Sequence, residues 1–317
     1  MTSRVRGVLQ LVVGAAVLAV VLVSVDVPQL WERLVRSDLR LVAPAVIGLV
    51  AMHAVAALGW RSILTATSGL QIPVPEALRL HYAAQALGGI TPANLGGDVY
   101  RAAALRLAGQ PWAASVVPIV IQRATSYLAL AFLSLLALTA LASARVAAPL
   151  VASGAAVALG VGCVAILLLG QPRPLRAVTR RLMGWIARGA DSTPTHLAVS
   201  NLPQASLVGV INGIAFHAGS LLLTWVLLAG VDRAAATLPI LAALTVARLS
   251  IAVPVSPSGL GVQEAVVVTL VAAVGGPVEG ALAGMLLARL ALVLTTTIGF
   301  GLLATRPDRV PLALARH

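Results

Sequence analysis

The sequence predicts an all-α polytopic membrane protein, with about six transmembrane helices and two re-entrant helical hairpins set in inverted-topology repeats. Three observations carry that prediction. First, 59% of the 317 residues are hydrophobic and 10% charged, too little charge to cover a water-facing surface, and several apolar runs reach bilayer-spanning length. Second, the phrase I-T-P-A-N-L-G-G-D-V-Y-R at 90–101 nearly returns as V-S-P-S-G-L-G-V-Q-E at 255–264. Aligning Pro92 with Pro257 sets Leu95 on Leu260 and Gly96 on Gly261. Third, Asp98 precedes Arg123 by 25 residues, as Glu264 precedes Arg289, and both arginines interrupt apolar runs. A broken apolar segment that recurs in both halves of a membrane protein marks the transport or ligand site of many such folds. The repeat units run over 76–142 and 238–304 within a single integral membrane domain, 1–317.

Each element follows in order. Arg4 and Arg6 precede a run over 7–25 long enough to span a bilayer, read as a retained first helix with a cytoplasmic N-terminus rather than a cleaved signal. Residues 26–40 balance Asp26, Glu32 and Asp38 against Arg33, Arg36 and Arg40 around Leu30, Trp31, Leu34 and Val35, as a short interfacial helix on the outer face would. The second span, 41–60, ends in Trp60-Arg61, an aromatic and a basic anchor. Pro73 and Pro75 break the chain, and the pieces 76–89 and 94–107 hold about fifteen residues each, so they suit a re-entrant hairpin shielded by protein or water. A long span follows over 111–142 and another over 149–170. The loop 171–200 carries Arg173, Arg176, Arg180, Arg181 and Arg188 against the single acid Asp191, which puts it in the cytoplasm. The run 204–228 crosses outward to Asp232-Arg233, the short helices 238–253 and 259–274 form the second hairpin, and 280–304 returns to a cytoplasmic tail with Arg306, Arg309 and Arg316. Reading both hairpins as full spans gives ten helices with the same parity, so charge bias does not separate the two topologies. Helix length favours six plus two.

Charge and motif content narrow the function. The formal charge is +12 and all 22 basic residues are arginine, most beside apolar spans, which reads as anchoring at the membrane surface rather than nucleic-acid binding. Cys163 is the one cysteine, so no disulfide or cysteine metal site forms within a chain. No phosphate-binding Walker loop, G-x-S-x-G elbow, H-E-x-x-H or His/Cys pair at metal spacing occurs, and no stretch of sixty residues lacks a span. The expectation is a protein that is not an enzyme and uses no cofactor or metal, with passive, proton-coupled or voltage-coupled movement of its ligand.

An ionisable group at bilayer depth is costly, which singles out Asp98, Arg101, Arg123, Arg248, Glu264 and Arg289. Arginines held by carboxylates at rest can be handed to a phosphate, since the guanidinium fork binds either bidentately. The helices that start after Pro92 and Pro257 aim free N–H groups and a positive dipole end toward the same place, with Asn94 at the first of them. Gly96, Gly97, Gly259 and Gly261 allow close approach to the backbone. The plainer readings stand beside these. The motifs can be structural turns with Asp98 and Glu264 as helix N-terminal charges, and Arg123 and Arg289 can be ion-pair partners that lock helices together. Arg61, Arg101 and Arg106 suit interfacial anchoring as well as ligand binding. His81, Gln85, Asn212 and His217 suit interhelical hydrogen bonds more often than a proton relay, and His81, Gln85 and His217 are the relay candidates. Trp60, Trp112, Trp185 and Trp225 read as interfacial belt residues.

Four stretches carry a resemblance: A-L-G-W-R-S-I-L at 57–64, G-G-I-T-P-A-N-L-G-G-D-V-Y-R at 88–101, Q-R-A-T-S-Y-L at 122–128 and P-S-G-L-G-V-Q-E at 257–264. Together they resemble the lysylphosphatidylglycerol synthase transmembrane family, also called the flippase-like domain family, over essentially the whole chain. Gln122-Arg123 stands where that family more commonly has Glu-Arg. The resemblance implies a module that moves an anionic or aminoacylated phospholipid or a polyprenyl-phosphate-linked lipid between leaflets, and the charge bias read above sets it in the cell membrane with both termini cytoplasmic. It also implies that the soluble aminoacyl transferase domain of larger members is missing here, so no lysyl-lipid synthesis is expected. A separate lipid-modifying transferase and a second copy of the chain are the protein partners compatible with this reading, and nucleic acid is not one. The rival is a non-transporting accessory or lipid-binding partner of a glycosyl or aminoacyl transferase. A transporter needs a polar, arginine-lined route, whereas the accessory protein can have a dry interior.

Overall fold

A computed structural model describes residues 16, 18–91, 94–143, 201–252, 256 and 258–305. Helix α1, Val27–Val35, starts where the Asp26 carboxylate accepts the Gln29 N–H at 3.0 Å, with Pro28 in its first turn, a favourable N-terminal signal. Leu30 faces inward while Trp31 and Val35 stay exposed, so the expected short amphipathic helix forms. Asp38 caps α2, Leu39–Ser68, by accepting the Arg40 N–H at 2.9 Å, and Gly69 ends it at φ 69°. Helix α2 therefore runs eight residues past Trp60, where the sequence reading ended the span. No breaker occurs before Gly69, and the hydroxyls of Ser62, Thr65, Thr67 and Ser68 fold back onto carbonyls one turn earlier. Trp60 is fully buried, so its assignment to the interfacial belt is corrected. Trp225 fits that role better, being 46% exposed with its indole N–H on the Ala236 carbonyl.

Two short helices follow, α3 at Val74–Gly89 and α4 at Leu95–Leu107, and then the long α5, Trp112–Ser143. In the second half, α6 spans Leu202–Val231, a 3-10 turn covers Arg233–Ala235, and α7 at Leu238–Ala247 continues into the 3-10 stretch Arg248–Ala252. Helices α8, Val262–Ala273, and α9, Val278–Thr305, complete the described chain, which is helical with no strand among the described residues. Leu39–Ser68, Ala114–Thr139, Leu202–Val231 and Val278–Thr305 are long and apolar enough to cross a membrane. The molecule is an all-α polytopic membrane protein. By contrast, α3, α4, α7 and α8 have 16, 13, 10 and 12 residues. At 1.5 Å per residue the longest reaches only about 24 Å, short of the ~30 Å hydrocarbon core.

Packing brings the two short pairs together. Helix α2 lies along α6, α3 lies between α4 and α9, and α5 packs on both α6 and α7. Where α3 and α4 cross, a Cβ on Gly97 would sit 2.5 Å from the Ala84 carbonyl oxygen, and one on Gly299 of α9 would run into the Tyr82 carbonyl oxygen. Glycine at these crossings lets the backbones touch. The Ser258 hydroxyl donates to the Gly89 carbonyl at 3.3 Å, so the tips of the two pairs meet. At one end of the bundle Arg33 pairs with Asp232, and the Asp38 N–H donates to the Gly230 carbonyl at 2.7 Å. The start of α2 and the end of α6 thus share a face, as the charge reading required.

Several expectations fall outside the described residues: most of the first span, the run 149–170 with Cys163, the arginine-rich loop with Trp185, the C-terminal tail, and both motif prolines, Pro92 and Pro257.

Candidate functional site

The first motif builds the site. Asn94 takes the left-handed conformation, φ 59°, as the residue that leads into α4, a conformation asparagine tolerates better than most side chains. Its carboxamide rests against Gly88, where a Cβ would meet Oδ1 at 2.5 Å, and that buried Oδ1 has no partner among the described residues. Helix α4 then presents Asp98 and Arg101 one turn apart. The Asp98 carboxylate accepts from Arg101 at 2.8 Å through one oxygen and from Arg123 of α5 through the other. Two guanidiniums against one carboxylate leave the cluster one positive charge in excess.

Neighbouring side chains fix both arginines. Arg101, 6% exposed, lies over the Trp60 ring at 5.1 Å and donates to Gln122 Oε1 at 2.8 Å. Gln122 in turn donates to the Ala56 carbonyl of α2 at 2.8 Å. Arg123 touches the Tyr127 hydroxyl at 3.2 Å, and its side chain remains 27% exposed. One arginine is clamped and the other is only partly enclosed.

These groups line a cavity of about 200 Å³ bounded by α2 to α6, with Asn94, Gly97, Asp98, Arg101 and Arg123 on its wall. His81, Gln85 and His53 face it as well. His81 and Gln85 bond one another along α3 at 3.2 Å, and His53 stacks 5.8 Å from His81 and 5.8 Å from Phe216. His217 of α6 bonds Ser126 of α5 at 3.0 Å, and Asn212 donates to the Val55 carbonyl at 2.7 Å, both interhelical bonds of the kind expected.

The other named residues lie elsewhere. Glu264, 0% exposed, accepts from Arg289 at 2.7 Å, and Arg289 also donates to the Ser258 and Gly259 carbonyls at 2.8 and 3.2 Å. That set braces the second tip, where Ser258, Gly259 and Gly261 all have positive φ. It does not line the cavity, so Asp98, Arg101 and Arg123 form one cluster and Glu264 and Arg289 another, rather than sharing one place. Arg248 occupies a third place, donating to Thr224 of α6 at 2.9 Å. Gly96 packs against the Leu87 carbonyl oxygen and donates its N–H to Thr91, so one of the free N–H groups expected at that helix start is taken.

Residues missed in the sequence are His53, Gln122 as a ligand of Arg101, and Trp60 as its platform. An ionisable residue inside an apolar span was the available signal for His53. Chemically, the cavity suits a phosphate or similar oxyanion: a fork of two guanidiniums, an excess positive charge, and amide and hydroxyl groups beside it. No group of three or more His, Cys, Asp or Glu side chains placed to hold a metal occurs among the described residues. Among known proteins, the family model described as the lysylphosphatidylglycerol synthase TM region matches residues 7–299. No curated protein matches the chain.

Proposed function

Since the chain belongs to the lysylphosphatidylglycerol synthase TM family and its setting is membrane lipid, we propose that it is a non-enzymatic transporter that moves a lipid with a phosphate-bearing headgroup between leaflets. The substrate is an anionic or aminoacylated phospholipid or a polyprenyl-phosphate-linked lipid. The observation that carries the reading is Asp98 held between Arg101 and Arg123 on the wall of a polar cavity beside a broken hairpin. A phosphodiester can replace the carboxylate on the more open Arg123, while Arg101 keeps Asp98 compensated. The cavity's 200 Å³ falls below the ~300 Å³ of a typical drug-sized ligand site, so it suits a headgroup while acyl chains stay in the bilayer. A dry interior, as in an accessory protein, would not need this arrangement.

The two short helix pairs, entered from opposite faces, make the inverted repeat of this proposal, with both termini on the cytoplasmic side of the cell membrane. The test is leaflet exchange of fluorescent phospholipids and a polyprenyl phosphate in proteoliposomes. Headgroup-selective exchange that Arg123→Ala abolishes, with the protein still folded, is the expected result. Exchange no faster than in protein-free vesicles, with or without imposed pH and voltage gradients, would sink the transporter reading and favour the accessory one.

A further inference from the structure

Arg248, half-buried, stands apart from Arg101, Arg123 and Arg289. Arg101 and Arg123 share Asp98, and Arg289 has Glu264. Arg248 has no carboxylate partner among the described residues, where it donates only through Nη2, to Thr224 Oγ1 at 2.9 Å and the Ser220 carbonyl at 3.4 Å. Thr224 is satisfied as a donor by the Ser220 carbonyl at 2.7 Å, so it serves to aim the guanidinium. Nε and Nη1 have no protein acceptor among the described residues, and a cation at membrane depth without a counter-charge is costly.

Its location supplies the second observation. His217, Ser220 and Thr224 recur at helical spacing on one face of α6. His217 holds Ser126, a wall residue of the cavity, while Ser220 and Thr224 hold Arg248. The buried Nδ1 of His217 has no partner among the described residues. One face of α6 thus leads from the Arg123 cavity, which has one excess positive charge, to a second place with one unneutralised positive charge. Arg248 closes α7, the first arm of the second hairpin, as Arg101 belongs to the first hairpin.

We propose that Arg248, aimed by Thr224 and Ser220, is a second oxyanion site, on which a lipid phosphate rests after passing His217 from the Arg101–Arg123 cavity. This rests on the transporter reading for its purpose, though not for its binding chemistry. Each site matches one singly charged phosphodiester, so two can be occupied at once.

The test is calorimetric titration of the purified full-length protein in detergent with dihexanoyl phosphatidylglycerol, and separately with inorganic phosphate. Wild type is expected to bind two lipids. Arg248→Gln, which retains a donor to Thr224 and removes the charge, should weaken one event about tenfold or more and leave the other. Arg123→Ala should do the converse. Thr224→Val should give a smaller loss at the same event as Arg248→Gln. Competition by inorganic phosphate would identify a free-phosphate site and its failure a headgroup site; either supports the oxyanion assignment. Unchanged stoichiometry and affinity in folded Arg248→Gln would overturn it. The two readings fail separately: full exchange in Arg248→Gln with binding unchanged removes the second site alone, and two bound lipids without any exchange removes transport alone.

Discussion

Asp98 and Glu264 hold the same offset to an arginine, yet their surroundings assign them different work. Glu264 is fully enclosed with one arginine, so Arg289→Ala leaves an uncompensated buried carboxylate and should cost ~3–5 kcal/mol of stability. Adding Glu264→Gln to it should restore much of the loss, as read by thermal unfolding in detergent. Asp98 keeps Arg101 when Arg123 is removed, so Arg123→Ala should change stability by about 1 kcal/mol or less while exchange is lost. A melt lowered as far by Arg123→Ala as by Arg289→Ala would show that both pairs are only braces. Gln122→Glu supplies a third test. It adds a carboxylate against Arg101 and cancels the cluster's excess charge, so affinity for an anionic lipid should fall about tenfold; the melting temperature should change little, since the gain at Arg101 is offset by loss of the donor to the Ala56 carbonyl. The acid–arginine pairs were legible because they repeat at equal spacing. Gln122, Trp60 and His53 were not, since their contacts depend on how α2, α4 and α5 cross.

At the scale of elements, chain punctuation was the readable part. Pro73 and Gly88-Gly89 bracket the first short helix, and the first pair, at 16 and 13 residues, came close to the sequence expectation, whereas the second pair, at 10 and 12, falls short of 238–253 and 259–274 because α7 passes into 3-10 geometry at Arg248 and α8 starts only at Val262. The end of α2 was misplaced because an aromatic-arginine pair looks the same at an interface and beneath another arginine; only the packing of Arg101 onto Trp60 decides it. The hairpin crossing makes its own prediction. Gly97→Val drives a branched side chain into the Ala84 carbonyl oxygen, already 2.5 Å from an added Cβ, and backbone cannot rotate aside as a side chain would. The expected cost is ~1–3 kcal/mol together with loss of exchange. Gly69→Ala, at φ 69° with open space around it, should cost only the ~1 kcal/mol of left-handed strain and leave exchange intact. Equal effects of the two substitutions would mean that the α3–α4 approach is not needed for activity.

For the whole molecule, the meeting of the two tips constrains the topology more than charge bias can. If α3 crossed the bilayer completely, Thr91 would emerge outside; if α7 did so from the other face, Ser258 would emerge inside, about 30 Å away. The hydrogen bond from Ser258 to Gly89 requires them to be neighbours, and neither helix is long enough to span. Single cysteines in a Cys163→Ser background make the distinction measurable with a membrane-impermeant maleimide. Gly69→Cys and Arg233→Cys are expected to label from opposite sides, because α2 and α6 each cross once between those ends. Thr91→Cys and Ser258→Cys are expected to label at rates well below both, whichever face the reagent reaches, since the proposed inverted repeat places the two touching tips inside the bilayer. Fast labelling of Thr91→Cys from the side that reaches Arg233→Cys would make α3 and α4 full crossings, and fast labelling of Ser258→Cys from the side that reaches Gly69→Cys would do the same for the second pair; only both together give ten crossings, and with them a pathway in which the two halves never share a midplane.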